Sequence, residues 1–165
     1  MLRTLFRSAF GAVALATAAT VGAADPQHHH PQLHGGPASK PVADVRQEVV
    51  FPPALREHTL ENMRDHLLVL QRIQEALAKG AFDSAAELAE TRLGMSSLRL
   101  HGAHDVARYM PPGMQAIGTA MHKSASRFAI EATNASATGD LRAPLSALAG
   151  VTAQCVACHA AYRLK

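Results

Sequence analysis

Two cysteines and a histidine lie close together near the C-terminal end of the chain, in the sequence Cys155-Val-Ala-Cys158-His159. Two thiols at this spacing can form thioethers with the two vinyl groups of one porphyrin, and the adjacent imidazole can bind the iron of the same ring. On a helix, positions i, i+3 and i+4 share a face, so the three side chains point the same way. The spacing therefore predicts one covalently bound haem c, held by Cys155 and Cys158, with His159 as the proximal iron ligand.

Two other uses of a C-x-x-C sequence fit less well. A zinc site of the usual kind needs four ligands, and Cys155 and Cys158 are the only cysteines in the chain. A thioredoxin-like redox pair belongs near the start of a helix in a βαβ unit, whereas this pair follows a helical pattern. A disulfide between consecutive turns of one helix would close almost no loop, so it would stabilise the fold poorly.

The N-terminal residues predict export. In residues 1–24, Arg3 and Arg7 precede an apolar run from Ala9 to Val21, and small residues follow before Asp25. This is the pattern of a cleaved signal peptide, and its apolar run is too short for a comfortable membrane span. No other stretch meets the criteria for a span in the sequence, so we expect a periplasmic protein without stable membrane insertion. Haem attachment outside the cytoplasm of bacteria agrees with this compartment.

Composition limits the remaining choices. Removal of the signal peptide leaves about 140 residues, enough for one domain with a core. Without Arg3 and Arg7 the formal charge falls from +3 to about +1, which gives no indication of a nucleic-acid partner. Alanine is frequent, tryptophan is absent and aromatic residues are few, and this favours closely packed helices over a β-sandwich.

Residues 25–51 read as a flexible linker rich in proline and histidine. The predicted linker contains four prolines before residue 42, together with His28, His29, His30 and His34. Such histidines can bind zinc, copper or nickel weakly, but a flexible tract does not preorganise a site. A weaker alternative is therefore a metal-handling module in which the haem acts as a sensor.

Residues 52–165 are predicted as one all-α domain, an antiparallel up-down-up-down four-helix bundle with haem attachment at its C-terminal end. Helices are expected over about 54–79, 84–100, 111–133 and from 141 to the end, with no strand. Prolines precede the first and third helices, Gly80 follows the first, and Asp83 is the expected N-cap of the second. Steps of three and four residues predict the inward faces. In chain order the predicted inward residues are Leu55, Thr59, Met63, His66, Leu70, Ile73 and Leu77; Ala85, Leu88, Ala89, Leu93, Ser96 and Leu100; Met114, Ile117, Met121, Ala125, Phe128 and Ala132; and Leu141, Leu145, Leu148, Thr152, Cys155 and His159.

The end of the chain resembles a known family. The sequence Cys-Val-Ala-Cys-His-Ala-Ala-Tyr-Arg over 155–163, the apolar periodicity before it and the order of four helices resemble class II cytochromes c, which include cytochrome c′ and cytochrome c-556. The resemblance covers about 52–165. It implies that Arg163 lies near the exposed edge of the imidazole and the haem propionates, and that Tyr162 packs beside the ring. Arg163 could instead complement the dipole of the last helix. Family members are often dimers, so a homodimer is possible.

In this family the first helix supplies the residue on the other side of the iron. The first helix here contains Met63 on its inner stripe, as in the low-spin branch, so Met63 is the expected distal ligand. A His/Met pair raises the reduction potential and suits electron transfer. The expected function is therefore a soluble one-electron carrier that serves redox partner proteins, and not an enzyme. The alternative is a five-coordinate protein of the cytochrome c′ type that binds NO or CO, with Met63 as ordinary packing.

Other side chains leave the sixth ligand open. His66 lies one turn from Met63, and His101 and His104 lie between the second and third helices, so each could reach the iron. Methionine sulfur and imidazole nitrogen are also ligands for copper. A second interpretation, a soft copper-type site, applies to Met110, Met114, Met121 and His122, although periodicity explains Met114 and Met121 as core.

Overall fold

The computed structural model describes residues 43–165, so the predicted signal peptide and residues 25–42 of the predicted linker lie outside the described residues. The described chain is mostly helical, which confirms the all-α class. Its elements in chain order are β1 (Gln47–Val49), α1 (Pro53–Ala78), α2 (Phe82–Arg92), a 3₁₀ turn (Met95–Ser97), α3 (Ala103–Ala107), α4 (Pro112–Ala135), α5 (Arg142–Ala161) and β2 (Tyr162–Leu164).

Prolines begin α1 and α4, as the sequence predicts. Pro53 and Pro112 occupy first-turn positions, where a missing backbone N–H costs no intrahelical bond. At the other end of α1, Gly80 has a φ of 69°, and the next N–H donates to the carbonyl of Ala76 at 2.8 Å. This left-handed glycine closes the helix and satisfies its last carbonyls. The observed ends of α1 lie within one residue of the predicted 54–79.

The helices pack through small side chains. α4 packs against α2 and α5, and α1 packs against α2. Ala85, Ala125 and Ala132 have no exposed surface, which lets the backbones approach closely, and Phe128 fills the space between them. This alanine-rich cluster is the main core of the molecule, and it lies towards one end of the long helices.

The prediction that the second helix continues to Leu100 is wrong. α2 ends at Arg92, and Gly94 turns the chain. A Cβ at Gly94 would lie 2.8 Å from the hydroxyl of Ser126, so only glycine fits this approach to α4. The turn changes which of the following residues face inwards. Ser97 is fully buried, whereas the predicted inward residues Ser96 and Leu100 are exposed.

The prediction of no strand is also wrong. β1 pairs in parallel with β2, with Glu48 opposite Arg163. The Arg163 guanidinium lies 2.7 Å from the Glu48 carboxylate, and the backbone N–H of Lys165 donates to the carbonyl of Val49 at 3.1 Å. Val49 and Phe51 are buried. The last residues of the predicted linker therefore pack beside the end of α5.

The last helix ends at Ala161, because Tyr162 adopts an extended conformation and starts β2. Leu145, Thr152 and His159, which were predicted to face inwards, are exposed. α5 is also long and apolar enough to cross a membrane by length and composition, contrary to the sequence expectation that no further stretch meets these criteria. Only 17% of that apolar stretch is buried, and α5 packs along α4.

Candidate functional site

A cavity of about 560 Å³ lies between α1, α4, the segment around α3 and the C-terminal end of α5. Its volume is in the range of small-molecule and cofactor sites, and most of its lining is apolar. α1 reaches the cavity with Met63, and α5 reaches it with Cys158 and His159. The sequence motif therefore borders this cavity.

The structure brings four of the five predicted site residues to this cavity: Met63, Cys158, His159 and Arg163. Cys155 lies one turn earlier on α5, is half-buried and packs against the main core. Its Sγ lies 3.6 Å from the carbonyl oxygen of Val151. The two cysteines thus lie at the junction between the main core and the cavity.

Both cysteines are free, and burial raises their pKa values. The pKa of Cys158 is raised further by the charge of the Cys155 thiolate. Redox-active cysteine pairs have lowered pKa values, because the thiolate is the reacting form. The environment of Cys155 and Cys158 therefore argues against a dithiol oxidoreductase and keeps both sulfurs as thiols.

Arginines line one end of the cavity, the cationic end. They are Arg46, Arg56 and Arg163, and no Asp or Glu of the described chain is among the lining residues. Each guanidinium is paired with a carboxylate outside the lining, at 2.7–2.9 Å. The Nε of Arg163 is buried and has no hydrogen-bond partner within residues 43–165, since the nearest Asp44 oxygen is 3.6 Å away. A buried donor without a partner is costly. This end is suited to a ligand that carries carboxylates.

Arg46 and Arg56 were missed by sequence reasoning. Arg46 precedes β1 and Arg56 lies in the first turn of α1, where neither helical periodicity nor the cysteine motif points to them. The pairing of β1 with β2 brings Arg46 within 3.5 Å of the backbone carbonyl oxygen of His159. The strand pair is therefore the element that joins the N-terminal arginine to the C-terminal motif.

Gly118 makes part of the α4 wall. A Cβ at this position would meet no atom within 4 Å, so the glycine faces open space and not a neighbouring helix. A glycine in the middle of a helix costs about 1 kcal/mol relative to alanine. Its position on a cavity wall suggests that the space itself is required.

Three buried histidines form a cluster at the inner wall of the cavity. His66 comes from α1, His101 from the turn before α3 and His122 from α4. The Nε2 atoms of His66 and His101 are 3.4 Å apart, and the rings of His101 and His122 are 5.5 Å apart. Sequence reasoning named each histidine but missed their convergence, because they lie on three separate elements.

A hydrogen bond fixes one proton in this cluster. The carbonyl oxygen of Leu93 can only accept, so Nδ1 of His122 carries a proton and donates to it at 2.7 Å. The hydroxyl of Ser97 donates to the carbonyl of Gly94 at 2.7 Å, and its oxygen lies 3.4 Å from Nδ1 of both His101 and His122.

Burial lowers the pKa of both His66 and His101 to about 4. The positive charge of protonated His101 lowers the pKa of His66 further, and the positive charge of protonated His122 lowers the pKa of His101 further. The negative charge of Asp65 raises both pKa values. Both imidazoles are consequently neutral at physiological pH. His104, the other histidine considered as an iron ligand, has a fully exposed side chain at the rim of the cavity.

Across residues 43–165, no group of three or more His, Cys, Asp or Glu side chains is arranged to hold a metal ion. Any metal bound at the histidine cluster needs a further kind of ligand. Comparison of the chain with protein-family models, curated proteins and solved structures found no match.

Proposed function

We propose that this protein is a soluble c-type cytochrome that carries single electrons, with one haem c attached to Cys155 and Cys158. The proposal rests on one observation: Cys158 and His159 line a cavity of about 560 Å³. When bound, haem supplies an iron that gains or loses one electron. The localisation proposed for this function is the periplasm, where redox proteins are the partners, and a homodimer remains compatible with it.

The residues around the cavity fit the two faces and the edge of a haem. His159 provides the proximal nitrogen, and the cationic end formed by Arg46, Arg56 and Arg163 suits the propionates. Gly118 leaves room for a flat ring against α4. The absence of acidic lining residues among those described avoids repulsion of the propionates.

We propose Met63 as the distal ligand. Met63 and His159 line the same cavity from α1 and α5, and the two side chains would hold the iron there. His66 and His101 line the cavity too, but the Nε2 of each is directed towards the other at 3.4 Å. A fixed sixth ligand keeps the coordination the same in both oxidation states, which favours electron transfer over ligand binding.

The finer fold proposed with this function is an antiparallel up-down-up-down bundle of α1, α2, α4 and α5. Its support is the packing of α1 on α2, α2 on α4 and α4 on α5, with short connections at α1–α2 and α4–α5 and a longer one, residues 93–111, between α2 and α4. In this arrangement apolar helix faces exclude water, while the partly exposed Cys158 and Arg163 lie where the edge of the ring would be accessible to a partner.

The test is the absorption spectrum of the purified exported protein, oxidised and reduced, with and without CO. We expect covalent haem, a low-spin spectrum with a weak far-red sulfur-to-iron band, and no change with CO. Met63→Leu removes the sulfur with little change in volume, so its iron should become accessible to CO. Met95→Leu is the matched control, because Met95 is exposed and does not line the cavity.

Three results would contradict parts of the proposal. Absence of covalent haem would reject the cytochrome itself. A high-spin spectrum in the unaltered protein that shifts with CO would favour the five-coordinate, NO- or CO-binding alternative. A low-spin spectrum without the sulfur band would replace Met63 with a histidine, and His66→Leu, His101→Leu and His104→Leu would then identify it.

A further inference from the structure

The histidine cluster has a geometry that the proposed haem does not use. The Nε2 atoms of His66 and His101 lie 3.4 Å apart, and the two ring planes meet at 65°. With metal–nitrogen bonds of about 2.0–2.1 Å, one ion bound to both atoms would see them at an angle of about 110°, close to tetrahedral. Each imidazole, when neutral, has one unprotonated ring nitrogen that can bind a metal.

Sulfur is the other ligand type that this cavity offers. Of the six methionines in the chain, four line the cavity: Met63, Met110, Met114 and Met121. Met114 and Met121 are buried. Thioethers with imidazoles select monovalent copper, whereas magnesium and calcium require oxygen ligands.

The charge of the surroundings also favours a monovalent ion. No carboxylate of the described chain lines the cavity, and Asp65, the acidic residue nearest the two histidines, is engaged by Arg92 at 2.7 Å. Burying a cation without a compensating anion is expensive, and the cost rises steeply with its charge. Zn²⁺ and Cu²⁺ therefore fit this site less well than Cu⁺.

We propose that His66, His101 and the thioether of Met121, which precedes His122 on α4, form a Cu⁺ site in the inner wall of the cavity. The ion lies between the ring nitrogens, so it occupies little of the open volume and can be present beside a haem. The site does not depend on the haem, because none of its ligands belongs to the cysteine motif. His122 supports it by fixing the position of the turn through Leu93 and Ser97.

The test measures Cu⁺ binding to the full exported chain by anaerobic competition with the colorimetric chelator bicinchoninate. The protein should carry His28→Gln, His29→Gln, His30→Gln and His34→Gln, because these histidines can bind copper by themselves. We expect retention of one equivalent of Cu⁺ that the chelator does not remove at equal concentration. His66→Phe or His101→Phe should weaken binding about 100-fold or more, since loss of even an outer-shell contact costs 10–100-fold.

The matched control is His104→Gln, which removes a histidine from the rim of the same cavity and should leave the affinity unchanged. No retained copper in the four-glutamine protein would overturn the proposal. Equal affinity in the His66→Phe, His101→Phe and His104→Gln proteins would overturn it as well. The haem content of each sample is measured by the pyridine haemochrome, so copper binding without haem would reject the cytochrome and leave the copper site standing.

A second variant avoids any folding defect caused by replacing a buried histidine. Met114→Leu with Met121→Leu conserves side-chain volume, so the helical circular dichroism should be unchanged. We expect Cu⁺ affinity to fall while the two nitrogen ligands remain. X-ray absorption at the copper edge should detect sulfur in the parent and lose it in the variant; a shell of nitrogen alone in the parent would overturn the site as proposed.

Discussion

The two ends of the long helices differ in what fills the space between them. At one end, the packed end, Ala85, Ala125 and Ala132 bring the helices together and Phe128 fills the interior. At the other end, the open end, the same helices surround a cavity lined by methionine, histidine and arginine. The packed end is completed by its own side chains, whereas the open end is shaped to receive a ligand.

The difference shows how the chain separates stability from function. The packed end gains free energy from burying apolar side chains at high density. The open end carries costs that a stable core avoids: two histidines with lowered pKa values, a buried arginine nitrogen without a partner among the described residues, and a glycine within a helix. Such costs concentrate at functional sites.

The largest expected effect of a single substitution is at the packed end. Phe128→Ala should lower the free energy of unfolding by about 3–5 kcal/mol. The change removes buried apolar surface and leaves a cavity that the surrounding helices close only in part. Ile130→Ala is the control on the same helix, since Ile130 is 61% exposed, and it should change stability by less than about 0.5 kcal/mol. Urea denaturation measures both, and equal effects would contradict the assignment of the packed end.

The next effect is a pH dependence that comes from the open end. His66 and His101 have pKa values of about 4 in the folded chain, against an ordinary value of 6.5. Between these values the unfolded chain takes up protons that the folded chain does not, so stability falls as the pH falls from 6.5 to about 4. Each group can contribute up to about 1.4 kcal/mol per pH unit in this window. The neighbouring charges are Asp65, which opposes the loss, and Arg92 and His122, which add to it.

Urea denaturation at several pH values, with a chelator present, measures this slope. Replacing one of the two histidines, as in His101→Leu, should make the slope shallower. His104→Gln should leave the slope as it is, because its side chain is fully exposed. A slope that is the same in all three proteins would assign the acid sensitivity to groups outside the cluster.

The sequence predicted the long helices well because their end signals are local. Pro53, Pro112 and Gly80 act through backbone geometry within a few residues, and they place the ends of α1 and the start of α4 to within one residue. The end of α2 was missed because the apolar spacing continues through Leu93 to Leu100. The local signal at this end is Gly94, where a Cβ would lie 2.8 Å from both the backbone oxygen of Glu90 and the hydroxyl of Ser126 on α4.

The candidate site was predictable only where its residues share one helix. Cys155, Cys158 and His159 were named from their spacing on one helix, whereas Met63, on another helix, was named from the family resemblance. The His66–His101 contact joins residues that are 35 positions apart, and the β1–β2 pair joins residues more than 110 positions apart. Three-residue strands are too short to give an alternating pattern, so neither convergence could be inferred before the fold.

A smaller effect is expected from the arginine at the cationic end. Arg163→Gln removes a partly exposed contact to Glu48, so it should lower stability by no more than about 1 kcal/mol. If the proposed haem lies here, loss of the positive charge should lower its reduction potential, with less effect at high salt. Lys165→Gln is the control, because Lys165 contacts the same Glu48 carboxylate but does not line the cavity. Equal shifts in potential would remove Arg163 from the site.

The smallest expected effect on stability comes from two helical glycines. The same substitution can be made at Gly118, on the cavity wall, and at Gly150, away from it, so the two sites test directly whether the cavity holds a ligand. A Cβ would meet no atom within 4 Å at Gly118, which lines the cavity, or at Gly150, which does not. Gly118→Ala and Gly150→Ala should therefore each stabilise the haem-free chain by about 0.5–1 kcal/mol in urea denaturation.

Larger side chains should give different results at the two positions. Gly118→Leu extends into the space required by a ring and should reduce covalent haem incorporation during expression, whereas Gly150→Leu should not. Equal incorporation in the two leucine variants would mean that this wall of the cavity is not in contact with the cofactor.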